Sequence, residues 1–266
     1  MGSGVVGFNA YPKQAIFGDL NPHIINFYQA LQRDDITPPI VREYLREEGE
    51  KLKKSGGAYY YEVRERFNKD HHPLDFLFLS RSSFNGMMRF NSKGGFNVPF
   101  CKKPERFSKA YITKIVNQVA HVWRMLKSFD WEFRHASFER LIEDAGEQDF
   151  IYCDPPYFGR HVDYFNSWGK EQEEKLAHLL HRTPAKFMLS TWHSNKYREN
   201  PSISEYWQDF YLLTKEHFYH VGAMEKNRNA MLEALAMNYP PPTPKVERMA
   251  MQLALFEQRA RYVTTS

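Results

Sequence analysis

The chain has 266 residues, 42% of them hydrophobic, with a formal net charge of +4 and a sequence pI near 8.8. That length and apolar content exclude a disordered chain and favour one principal domain with an insertion over two independent ones, while the mild basic excess serves nucleic-acid binding only if gathered on one face. Cys101 and Cys153 lack a zinc-pair spacing and are expected as free thiols, no apolar run approaches the roughly 20 residues of a membrane span, and no signal-like pattern opens the chain, so a soluble, unexported, cytoplasmic protein without a membrane partner is expected.

Met1-Gly2-Ser3-Gly4 reads as a glycine turn at the mouth of a helix, with no strand before it. Ala15 to Gly18 predicts a short strand ending in Asp19. Asn21-Pro22 then opens a helix whose apolar residues Ile24, Ile25, Phe27, Tyr28 and Leu31 recur at helical spacing. Pro38-Pro39 starts a helix running to about Lys54, and Tyr59 to Phe67 predicts another; their charged pairs predict solvent-facing helices. An aromatic and leucine-rich stretch runs from Leu74 to Phe84, and the following segment centres on Lys93-Gly94-Gly95, a hairpin-turn signal. Ser108 to Phe129 has helical spacing and Trp131 to His135 begins a strand. Strands at 149–153, 186–191, 209–219 and 231–239 alternate with helices near 170–182 and 203–208. This alternation predicts an α/β fold with a helical insertion. Past Pro240-Pro241-Pro242 the tail carries one more helical pattern, Val246, Met249, Leu253, Leu255 and Phe256.

Residues 151–157, Ile-Tyr-Cys-Asp-Pro-Pro-Tyr, carry a carboxylate, a stiffened backbone and an aromatic face to the end of an apolar strand. Asp154 and the Pro155 carbonyl can accept hydrogen bonds from an exocyclic amine while Tyr157 stacks on the ring that bears it. Gly2 and Gly4 let backbone approach a ligand, and Asp19 can accept from two ribose hydroxyls. The same pair also fits a chance Gly-x-Gly and a helix-capping Asp. Between 81 and 100, Arg81, Arg89 and Lys93 supply cations, Asn85, Asn91 and Asn97 supply amides, and Phe84, Phe90 and Phe96 interleave them. This is the composition of a hairpin presented to DNA, some of whose phenylalanines face the core. Tyr164, Phe165, Asn166 and Trp168 lie on a loop, placed either to close over a ring or to pack down. The histidines, His71-His72 included, show no ligand spacing with acids, and no metal is expected.

Together these residues resemble the Dam-type, class D12, N6-adenine-specific DNA methyltransferases over nearly all of residues 1–240. The resemblance rests on Met1-Gly2-Ser3-Gly4, which matches the end of a Phe-x-Gly-x-Gly turn, on Gly18-Asp19-Leu20-Asn21-Pro22, and on the block from Arg81 to Phe100. It continues in Asp154-Pro155-Pro156-Tyr157, Met188-Leu189-Ser190 and the strand Glu233 to Tyr239. It implies a Rossmann-like S-adenosylmethionine-dependent methyltransferase sheet over 1–54 and 130–240, a mostly helical target-recognition insertion over 55–129, and a tail over 241–266. It further implies methyl transfer from S-adenosyl-L-methionine to N6 of an adenine flipped from double-stranded DNA by a monomer, with a cognate restriction endonuclease as a functional partner. Gly2, Ser3, Gly4, Asp19, Asn21, Ser137, Phe138 and Asp154 would then meet the cofactor, and Asp154, Pro155, Pro156 and Tyr157 the reacting amine. Arg81, Asn85, Arg89, Asn91, Lys93 and Asn97 would meet DNA. An Asp at the head of the Pro-Pro-Tyr motif favours adenine over the cytosine, protein-glutamine or RNA substrates of related enzymes only as a tendency. Two departures stand out. His135-Ala136-Ser137-Phe138 offers a hydroxyl where many relatives carry an acid, and the chain starts inside the glycine turn. Relatives have an upstream Lys-Trp-x-Gly-Gly-Lys-like motif and a central first strand. The expectation is therefore two open strand edges, in either an internal piece of a longer enzyme or a DNA-binding remnant with weak or no activity.

Overall fold

The computed structural model describes residues 1–91, 93–159, 168–218 and 230–241. Helices and strands alternate along it as α1 (Val5–Ala10), β1 (Gln14–Asp19), α2 (Pro22–Gln32), α3 (Pro38–Lys54), α4 (Tyr59–Asp70), α5 (Pro73–Ser82), α6 (Lys109–Ser128), β2 (Asp130–His135), α7 (Phe138–Glu143), β3 (Phe150–Cys153), α8 (Lys170–Arg182), β4 (Lys186–Asn195), β5 (Tyr211–Phe218) and β6 (Ala230–Met237). The fold is mixed α/β. Its helix starts follow from local chemistry. Prolines 22, 38 and 73 stand at first helical positions, where their missing N–H costs nothing. Asn21 Oδ1 accepts from the His23 amide at 3.0 Å, and His72 Nδ1 accepts from the Leu74 amide at 3.3 Å.

The strands form two sheets. β1 and β2 run parallel, from Gln14 opposite Asp130 to Asp19 opposite His135. The other sheet has the order β3-β4-β6-β5, with β3 parallel to β4 and the remaining pairs antiparallel. Among the described residues β1 pairs only with β2, and β3 only with β4, so each of the two has one open edge, as the sequence reading expects. The packing follows the same division. Phe8, Phe17, Trp131 and Phe133 share a core with the helices α2 to α6, whereas Ile142, Leu176, Leu180, Phe187, Leu189 and Trp207 form a second core. The short helix α7, absent from the sequence reading, joins them. Its Leu141 lies against Gly18 of β1, its Ile142 belongs to the second core, and its Glu139 pairs with Lys175 of α8 at 2.9 Å.

The expectation of solvent-facing helices at 38–67 is corrected. Val41, Leu45, Leu52, Tyr60, Val63 and Phe67 are fully buried. Their charged neighbours hide this stripe from a count of charges, and some of those charges are themselves inside. Arg66 of α4 donates to Glu48 of α3 at 2.8 Å and to Asp75 of α5 at 2.6 and 2.8 Å, and both carboxylates are buried. Tyr44 and Tyr59 complete the cluster. The helix expected at 203–208 is a single π-helical turn, Ile203–Trp207. Tyr164, Phe165, Asn166 and the helical pattern of the tail lie outside the described residues. No helix among the described residues is long and apolar enough to cross a membrane.

Candidate functional site

The glycine turn requires its glycines. Gly2 and Gly4 take φ of 52° and 71°, in the left-handed region that disfavours side chains. A Cβ on Gly2 would meet nothing within 4 Å, so open space adjoins the turn. The Ser3 carbonyl accepts from Tyr28 Oη at 3.0 Å, which ties the turn to α2. Asp19 ends β1 beside this turn. Its Oδ2 accepts from the Gly2 amide at 2.9 Å and the Met1 ammonium at 3.1 Å, and its Oδ1 accepts from the Asn21 amide at 2.8 Å.

Asp154 follows β3 and is reached by solvent. Protein crowding its carboxyl raises its pKa above the ordinary carboxylate range; the Met1 ammonium opposes that rise, Glu233 adds to it, and a hydrogen bond with Ser190 opposes it. The Met1 ammonium thus bonds Asp19 on one sheet and acts on Asp154 at the end of the other. Tyr157 Oη donates to Glu233 Oε1 at 3.2 Å. Pro155 and Pro156 are half-buried, and the turn beyond is held by Trp192 Nε1, which donates to the Phe158 carbonyl at 2.9 Å.

Several expected ligands already have structural partners. Asn21 is buried and spends its Oδ1 on the cap of α2, so that oxygen is not offered to a cofactor. Ser137 precedes α7, and Phe138 packs against Trp168 with ring centroids 5.5 Å apart. Trp168 donates to Glu173 at 2.7 Å, the packed-down alternative for that residue. Glu233 and Ser190 meet at Asp154 but were not singled out as site residues. The available signal was a lone acid inside the apolar strand Ala230–Met237.

The 81–100 block is a hairpin closed by bridges between Ser83 and Phe100 and between Phe90 and Phe96. Phe90, Phe96, Val98 and Phe100 are buried. Asn68 of α4 clamps Phe96, accepting from its amide at 2.7 Å and donating to its carbonyl at 3.2 Å. Phe84, Asn85 and Met87 stand exposed at the near end and Lys93 at the turn. Asn91 Oδ1 accepts from the Lys93 and Gly95 amides, both at 2.9 Å, so its acceptor fastens the turn. Arg89 Nε donates to Asn97 Oδ1 at 2.9 Å, each orienting the other. Arg81 is bound to Gln118 of α6 and lines an apolar groove of about 1010 Å³, an anchoring position away from the hairpin turn.

The residues fit a nucleoside-bearing methyl donor in one region: the open space beside Gly2 and the Asp19 carboxylate lie together at a strand end. A ribose hydroxyl on Asp19 Oδ2 would exchange for the Met1 ammonium.

The family of D12 class N6 adenine-specific DNA methyltransferases matches residues 1–221. The chain is 29% identical over 244 residues to the type II methyltransferase M.FokI of Planomicrobium okeanokoites, which covers 88% of this chain and 37% of that protein. It is 32% identical over 218 residues to the DNA N-6-adenine-methyltransferase of Escherichia phage P1, covering 75% of this chain and 26% of that protein. With the DNA adenine methylase of Haemophilus influenzae the identity is 29% over 209 residues, 73% of this chain and 68% of that protein. The chain thus spans well under half the length of the first two relatives. With the matched region running from the glycine turn through Asp154-Pro155-Pro156-Tyr157 and beyond β5, the chain belongs to the D12 class N6 adenine-specific DNA methyltransferase family.

Proposed function

We propose that this chain transfers a methyl group from S-adenosyl-L-methionine to the N6 amine of an adenine flipped out of duplex DNA. The observation that carries the reading is Asp154, a solvent-reached carboxylate at a strand end, set against Ser190, Glu233 and Tyr157. An aromatic amine is a poor nucleophile because its lone pair is delocalised into the ring. Asp154 and the Pro155 carbonyl would each accept one of its hydrogens and favour a tetrahedral nitrogen. Tyr157, its hydroxyl held by Glu233, would stack on the base; such stacking is worth about 1–3 kcal/mol against a flipping cost of a few kcal/mol. When bound, the sulfonium cofactor would supply the activated methyl group, with Gly2, Ser3, Gly4 and Asp19 beside its nucleoside and Phe138 near its ring.

In this reading residues 1–54 and 130–240 make the catalytic domain in a Rossmann-like arrangement, residues 55–129 the recognition insertion, and 241–266 an appended tail. Asn85 and Lys93 contact DNA directly, Arg89 and Asn97 do so as a pair, and Asn91 shapes the turn that presents them. Arg81, one of whose nitrogens is held by Gln118, contacts a phosphate with the others. Because M.FokI is named a type II methyltransferase, a cognate restriction endonuclease is the functional partner proposed.

The test is incubation of the full chain with duplex DNA and cofactor labelled in its methyl group, followed by mapping of modified bases. Label at N6 of adenine that Asp154→Ala abolishes is the expected result. No label from the wild-type chain, or label unaffected by Asp154→Ala, would overturn the assignment.

A further inference from the structure

His23 is the second residue of α2 and is only 8% exposed. Its ring stacks on Phe90 at 5.0 Å with an 18° interplanar angle, meets the edge of Phe67 at 5.0 Å, and lies 4.7 Å from the His71 ring. Its backbone amide is capped by Asn21, but its ring nitrogens have no hydrogen-bond partner among the described residues. This ring edge opens instead into a cavity of about 490 Å³, bordered by His23, Asn26, His71, Lys93, Gly94 and Gly95, and by Asn68, whose amide is already engaged by Phe96.

The donor set selects the ligand. Among the described residues no carboxylate lines the cavity, so a divalent cation would find two imidazoles, no balancing charge and a repelling lysine. An apolar ligand would leave His23 and Asn26 unpaired, since the Asn26 amide also has no partner among the described residues. An oxyanion suits every group present: the lysine supplies charge, the imidazoles and the amide donate hydrogen bonds, and the start of α2 adds the positive end of its dipole. Gly94, at φ 78° and with open space where a side chain would stand, allows close approach.

We infer that this cavity is a phosphate site, filled by a backbone phosphate of bound duplex. This rests on the proposed DNA reading, and it extends the contact surface from the hairpin turn across to α2 and the end of α4. Burial, then His71 and His135, lower the pKa of His23 to about 4, so at neutral pH its ring is an uncharged donor and Lys93 carries the charge.

The full chain, labelled with 15N in histidine, is titrated first with inorganic phosphate and then with an unlabelled duplex while the ring signals of His23 and His71 are followed. Parallel titrations with a fluorescent duplex give affinity against salt. The variant is His71→Asn with Lys93→Ala; asparagine tolerates the left-handed φ of 53° at position 71, and both side chains are exposed, so the fold is preserved. The expected result is that phosphate moves both ring signals, duplex displaces it, and the variant loses the phosphate response. The variant's slope of log K against log salt should also fall by about one phosphate contact. Ring signals unmoved by phosphate and by a duplex that the chain binds would overturn the site. Signals moved by phosphate but not competed by a bound duplex would overturn DNA as its source. A chain that binds phosphate there but no duplex would keep the site and sink the DNA reading instead.

Discussion

An ionised Asp154 is the stronger hydrogen-bond acceptor for an amine, yet its surroundings raise its pKa and so favour the protonated form. Protein crowding the carboxyl of this exposed residue is the largest cause; the Met1 ammonium opposes it and Glu233 reinforces it. A raised pKa in the folded state means that the unfolded chain gives up this proton at lower pH. The associated loss of stability is absent below the unfolded value near 3.8, develops as pH rises through the folded pKa, and is complete above it. Asp154→Asn should therefore raise the melting temperature at neutral pH, and the gain should vanish below about pH 3–4. A gain independent of pH would show that charge is not its origin. Glu233→Gln removes a like charge while keeping an acceptor for Tyr157. In the proposed reaction it should move the acid limb of the kcat/KM profile to lower pH, whereas a limb left in place would separate Glu233 from Asp154. The Asp-Pro-Pro-Tyr segment was legible in the sequence because its chemistry is local. Glu233 and Ser190 were not, since only the pairing of β4 with β6 and β3 brings them to it.

At the scale of elements, the helical segment from α3 to α5 is clasped by Arg66, with Glu48 and Asp75 on either side of it. Removing one partner of a fully buried ion pair costs about 3–5 kcal/mol, because the other charge stays behind unpaired. Arg66→Ala strands two carboxylates, but the arginine side chain is 41% exposed, so water can enter and screen them. A loss of about 2–3 kcal/mol is expected from denaturant unfolding, at the screened end of that range. Glu48→Gln combined with Asp75→Asn in the Arg66→Ala background should recover part of it. No recovery would trace the loss to packing of the arginine stem. The sequence announced α2 and α3 through Asn21-Pro22 and Pro38-Pro39, which act within one helical turn, but α5 only as an aromatic and leucine-rich stretch. It did not announce the buried face of α3, because Glu48 counts as surface charge until Arg66 and Tyr59 are seen around it. Nor did it announce α7, six residues long and held by contacts to both cores rather than by its own propensity.

The whole molecule poses a problem of alignment. Asp19 ends a strand of one sheet, Asp154 ends a strand of the other, and a nucleoside cofactor with its target amine must span them. The strands that carry these acids are not paired with each other among the described residues, so their relative position depends on α7, whose Leu141 rests against Gly18. A Cβ on Gly18 would overlap Leu141 Cδ1 and crowd the rest of that side chain. Gly18→Val should therefore displace α7 and with it the second core. Overpacking of this kind costs about 1–3 kcal/mol, and the displacement should weaken binding of S-adenosyl-L-methionine more than binding of duplex. The hairpin is fastened to α4 through Asn68 and Phe96, within the core that also holds Phe17 of β1, and need not move with α7. Leu141→Ala alone should cost stability by opening a void. In the double variant the two changes should compensate, giving an interaction energy of opposite sign to the single effects in a double-mutant cycle. Isothermal titration with cofactor, and anisotropy with duplex, on all four proteins would measure this. If the double variant binds cofactor as poorly as Gly18→Val alone, α7 does not set the alignment.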